Sequence, residues 1–153
     1  MRWSILSGAL CLAFLACGDL QRNNPLDPAV EGFVPLDLLL VGTWSLDGEE
    51  ENQVYFFEEN GRVELRDYTA PQGGVVDRNA AYPNTQVISF IGTWTLTGSR
   101  LRIEFTSSAW NNDQGQPPRP PVEARLVEVR IQGNTLFLKE RDGVGAERGY
   151  TRV

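Results

Sequence analysis

Val41-Gly42-Thr43-Trp44-Ser45-Leu46-Asp47 returns further along the chain as Ile91-Gly92-Thr93-Trp94-Thr95-Leu96-Thr97. Large and small side chains alternate in both copies, which is the period of a strand. Gly42, Trp44 and Leu46 then share one face, and Thr43, Ser45 and Asp47 the other. A glycine one pleat from a buried tryptophan leaves room for a neighbouring chain to cross closely. A short apolar turn, residues 35–40, precedes the first copy, and only strand-like runs follow it. Val41 therefore reads as the opening of a closed antiparallel barrel.

Eight runs carry strand character: 41–47, 53–58, 62–68, 86–96, 101–106, 122–131, 135–139 and 148–153. In the second, Val54 and Phe56 oppose Tyr55 and Phe57, and Phe56 is counted with Trp44, Phe90, Trp94 and Phe105 as a large inward residue. The sixth changes phase. Val122, Ala124 and Leu126 keep one parity, while Val127, Val129 and Ile131 take the other, so a β-bulge is expected at Leu126–Val127. Glu123, Arg125, Glu128 and Arg130 then face water as a solvated stripe.

The connections alternate in length. Glu59-Asn60-Gly61, Gly98-Ser99 and Gly133-Asn134 are tight hairpin signals. The segments 48–52, 69–85, 107–121 and 140–147 are longer. In up-and-down order the tight turns collect at one end, a floor, and the longer loops at the other, a mouth. An even strand number with hairpin order permits closure, which removes exposed sheet edges. The expected fold is all-β: an eight-stranded antiparallel up-and-down barrel over residues 36–153.

The chain ahead of the barrel reads as an address. Arg2 precedes an apolar run over residues 5–16, shorter than the ~20 residues of a spanning helix. It ends in Ala16-Cys17-Gly18, which resembles the lipobox of bacterial lipoproteins. The resemblance implies a signal peptide over 1–16, acylation of Cys17 and membrane attachment through the lipid. Gly18 directly after the cysteine implies the outer membrane if the source is Gram-negative. Residues 17–35 hold the acylated cysteine and a linker stiffened by Pro25 and Pro28. Cys11 and Cys17 are the only cysteines, so the barrel has no thiol to pair. Removing Arg2 leaves 13 basic against 20 acidic residues, a net charge of −7. That balance argues against nucleic acid as a partner.

The opening Gly42-Thr43-Trp44, the Asn60-Gly61 hairpin, the second Gly92-Thr93-Trp94 and the closing Tyr150-Thr151-Arg152 together resemble small bacterial lipocalin-like domains. The resemblance covers about residues 36–153. It implies that a basic residue near the end of the last strand packs over the first tryptophan, and strand order makes an Arg152–Trp44 cation–π contact feasible. The usual Thr-Asp-Tyr of the lipocalin turn between the sixth and seventh strands is replaced by Gln132-Gly133-Asn134. Avidins also begin with Gly-Thr-Trp, but no matching set of biotin-holding polar residues is present.

The chain contains no histidine, which removes serine–histidine, cysteine–histidine and histidine–metal chemistry by inventory. Asp47 with Glu49–Glu51, and Asp113, are the remaining carboxylate groupings. They lie in or beside glycine- and asparagine-rich turns, where solvated charge is the usual meaning. No catalytic residue, metal or cofactor is expected, and the protein is read as a non-enzyme. Trp44 and Trp94 fall towards the floor as core, with Arg152 beside them. Trp110 and Tyr82 lie in mouth loops, either to contact a ligand or partner or to fold back as lids. Two functions follow: a lipid-anchored cell-envelope protein binding a small, partly apolar ligand, or a structural or interaction module of the envelope with a filled barrel core.

Overall fold

The computed structural model describes residues 34–48, 52–112, 115–141 and 145–153. The leader, Cys17 and most of the linker lie outside them, as do Glu49–Glu51, Asp113 and the side chain of Asp47. A five-residue helix, α1 (Leu36–Leu40), leads into eight strands: β1 (Gly42–Asp47), β2 (Asn52–Phe57), β3 (Arg62–Thr69), β4 (Gln86–Thr97), β5 (Arg100–Trp110), β6 (Arg125–Gln132), β7 (Thr135–Glu140) and β8 (Arg148–Arg152). Each strand pairs antiparallel with its chain neighbours, and β8 returns to β1, closing an up-and-down barrel. Among the described residues no helix is long and apolar enough to cross a membrane.

The floor is built around the two Gly-Thr-Trp copies. Trp44 is fully buried, and its Nε1 donates to the Leu40 carbonyl at 2.7 Å, which fixes α1 under the barrel. Leu40 is itself fully buried, with Leu36 and Leu39 packed beside it. The Arg152 guanidinium lies 5.1 Å from the Trp44 ring and donates from Nη2 to the Val41 carbonyl at 2.7 Å. Gly42 makes room for it. The glycine has φ of +139°, and a Cβ there would sit 3.1 Å from Arg152 Nη2.

The second copy meets backbone instead. Ile91 pairs with Ser107 and Gly92 with Phe105, so Thr106 is an extra residue and β5 bulges. A Cβ on Gly92 would come within 1.8 Å of the Glu104 carbonyl oxygen. Trp94 follows with Nε1 donating to the Glu58 carbonyl at 3.1 Å, and its ring meets Phe57 edge-on at 5.8 Å. Tyr55 stacks on Phe57 and takes Tyr150 edge-on, both at 5.4 Å. Leu101, Ile103, Leu136 and Leu138 complete this filled half.

Three expectations are corrected. Trp44 pairs with Tyr55, so Tyr55 and Phe57 point inward and Phe56 points outward, where Arg66 covers it at 4.6 Å. Period 2 cannot choose a side when both faces are aromatic. There is no bulge at Leu126–Val127: β6 begins only at Arg125, and Val122 is fully exposed outside it. Arg125, Val127, Val129 and Ile131 form one unbroken inward series, so Arg125 is not part of a water-facing stripe. Lastly, β5 runs on to Trp110, beyond the expected end at Thr106, because the bulge restores its pairing with β4 as far as Ile88.

That extension leaves an uneven wall. β6 pairs with β5 only at Arg100–Ile103. Alongside the mouth half of β5 runs the proline-rich segment 116–121, tied by the Ser108 hydroxyl donating to the Pro118 carbonyl.

Candidate binding site at the barrel mouth

Register strings Gln53, Asp67, Ile88 and Trp110 into one row across β2 to β5 on the inner face at the mouth end. One layer nearer the floor, Leu65 and Phe90 continue the apolar part of that wall. Ile88, Phe90, Phe105 and Trp110 are all half-buried, with the Phe90 and Phe105 rings 5.8 Å apart. Strand β4 alternates cleanly through this region, which aims Ile88 and Phe90 inward with Gly92 and Trp94.

The opposite wall is polar. Arg125 opposes buried Ile103, Glu140 opposes Val127, and Arg148 opposes Leu138, so all three take inward positions. Arg125 donates from Nε to Glu140 Oε1 at 2.5 Å and from Nη1 to the Tyr55 hydroxyl across the barrel. The Tyr150 hydroxyl donates to Gln53 Oε1 at 2.9 Å. Burial pushes the Tyr55 phenol above its ordinary pKa, against the opposing pull of the Arg125 charge. Burial pulls the Arg125 guanidinium down, and Tyr55 and Glu140 more than reverse it. A cleft of about 380 Å³ opens beside Arg125 and Glu140, with Ala124, Leu126 and Arg141 on its rim.

A second cleft of about 370 Å³ lies on the outer face of the wall near the mouth, bordered by Tyr68, Arg66, Arg78 and, at its edge, Trp110. Here the segment between β3 and β4 is fastened to the outer wall. Arg78 donates to Asn52 Oδ1 (2.5 Å), Ser45 Oγ (2.7 Å) and the Leu46 carbonyl (2.9 Å), with its guanidinium 5.2 Å from the Tyr68 ring. Asn111 locks the end of β5, accepting from the Val87 N–H and donating to the Thr85 carbonyl, each at 2.8 Å.

Of the two mouth residues singled out in the sequence, Trp110 stands at this rim as the last residue of a strand. Tyr82 is exposed on the β3–β4 segment and borders neither cleft. Trp44, Trp94 and Arg152 stand together at the floor. Sequence reading missed Arg125, Glu140 and Arg78. The first was discoverable, since Arg125 keeps the parity of Val127, Val129 and Ile131. Arg78 has no such signal, because it lies in a segment without periodicity.

Chemically, the mouth offers an apolar wall facing a hydrogen-bonded polar one. Among the described residues no three metal-ligating side chains of the histidine, cysteine, aspartate or glutamate type come together. The chain matches no family model, no curated protein and no solved structure.

Proposed function

We propose that this protein is a lipid-anchored component of a bacterial cell envelope whose barrel mouth binds a small, partly apolar molecule with a polar end. One observation carries the binding reading: the inner face at the mouth divides into a half-buried wall of Ile88, Phe90, Phe105 and Trp110 on β4 and β5 and a polar remainder of Gln53, Asp67, Arg125, Glu140 and Arg148 on the other strands. Binding pockets combine an apolar lining with a few convergent polar groups in this way. An eight-stranded barrel is wide enough for a filled core or one small ligand, and in this one the fully buried rings of Trp44 and the aliphatic side chains of Leu40 and Leu136 gather at the floor. The absence of histidine from the chain supports binding over catalysis.

The anchor rests on Ala16-Cys17-Gly18, and the lipocalin-like resemblance of the barrel motifs agrees with a binding role. Outer-membrane attachment follows from Gly18 if the source is Gram-negative. Native mass spectrometry of protein purified from its own host tests the binding reading. A co-purifying small molecule is expected, and Trp110→Ala should lose it while costing about 1 kcal/mol or less of stability. An empty barrel whose host partner is a protein would instead support the interaction-module reading, which the filled floor favours. Cys17→Ser should release the protein from membranes; a variant that still sediments with them, with no acyl mass on the parent's Cys17, refutes the anchor.

A further inference from the structure

We propose that the outer wall of the barrel carries a separate site, for a phosphate ester, in the cleft framed by Arg100, Arg102 and Arg141. The β4–β5 hairpin sets Arg100 opposite Thr97 and Arg102 opposite Thr95, all four exposed on the outward face. Arg102 also pairs with Leu126, an outward leucine left 41% exposed. The Arg141 N–H donates to the Leu126 carbonyl at 3.1 Å, which brings a third arginine to the same place. These six residues border a cleft of about 230 Å³.

The charge there runs against the molecule. The chain carries a net charge of −6, yet three guanidinium groups surround one cleft. Glu104 pairs with Arg102, while Arg100 and Arg141 make no ion pair among the described residues. Glu128 stands opposite Arg100 in the β5–β6 register but neither pairs with it nor borders the cleft.

Guanidinium forks match the oxygens of phosphate, and convergence from several directions suits a tetrahedral anion. The hydroxyls of Thr95 and Thr97 add donors. The cleft far exceeds the ~30 Å³ share of a single water, so it has room for an organic substituent beside the anion, and Leu126 offers that substituent an apolar contact. Leu126 and Arg141 also stand on the rim of the cleft beside Arg125 and Glu140, whereas Arg100, Arg102, Thr95 and Thr97 border this cleft and not that one.

A phosphate ester reaches such a site either as a free phosphomonoester or as a phospholipid headgroup. Amide NMR titrations of the full chain, held in a neutral detergent, separate the two with glycerol 3-phosphate and dihexanoylphosphatidylglycerol as probes. Saturable shifts confined to residues 95–102 and 126–141 are expected with at least one probe, and the tighter probe identifies the source. The double variant R100Q/R141Q should weaken that binding at least tenfold without moving the melting temperature, and Trp110→Ala should leave it unchanged. Shifts that never saturate, that chloride reproduces at equal ionic strength, or that persist in the double variant overturn the proposal.

Discussion

The floor half of the barrel is closed by rings and aliphatic side chains; the mouth half is spanned by charges. Trp44, Leu40 and Leu136 are fully buried at one end, whereas the Arg125 and Glu140 side chains keep 21% and 26% of their surface towards the other. Buried aromatic area contributes most of the favourable energy of a small core. A partly exposed ion pair contributes little net stability. Stability is therefore concentrated where the turns are tight.

The largest test of that contrast is Trp44→Ala. Truncation removes the ring under Arg152 and the hydrogen bond that holds α1, and should cost about 3–5 kcal/mol of a total near 5–15 kcal/mol. Thermal and denaturant unfolding read it directly; an unchanged melting temperature would show that the floor does not carry the fold.

Gly92→Ala comes next. The new methyl collides with the Glu104 carbonyl carbon as well as its oxygen, at 2.7 and 1.8 Å, so β4 and β5 must separate. A loss of about 1–3 kcal/mol is expected, as for an overpacked core. Full stability in urea would mean that the two strands do not approach as closely at the bulge.

The smallest effect lies where floor meets mouth. Tyr55→Phe removes one hydrogen bond with Arg125, worth about 0.5–1.5 kcal/mol near neutral pH. Its signature is at alkaline pH. Because burial raises the Tyr55 pKa in the folded state, its contribution is complete below the ordinary value of 10.0 and is lost as pH rises from there towards the folded value. The parent should therefore weaken more steeply above pH 10 than the phenylalanine variant. Parallel curves would mean that Tyr55 ionises in the folded barrel as readily as in the unfolded chain.

The floor was legible in the sequence because every signal there is local. Glycine turns, period-2 runs and the doubled Gly-Thr-Trp all report within a few residues, and strand number, order and closure follow from them. The mouth was legible only in outline. A bulge re-phases β5 after Phe105, and the stretch Thr106-Ser107-Ser108-Ala109 has no apolar alternation to reveal a strand, so Trp110 reads as a loop residue. Arg125 was misread because charge suggested water, although its parity agreed with the core; its partners Tyr55 and Glu140 are distant in sequence. The docking of Arg78 on β1 and β2 depends on tertiary contact alone.

The hydrogen bond from Trp44 to Leu40 has a mechanical consequence. It couples α1 to β1 at the floor, so the chain enters the barrel at the end opposite its opening. A pull from the N-terminal side passes through the indole and the Arg152 clamp into β1 and β8, the two strands that close the ring. Load thus arrives at the fully buried side chains of the floor. A barrel held from that side presents its mouth away from whatever holds it.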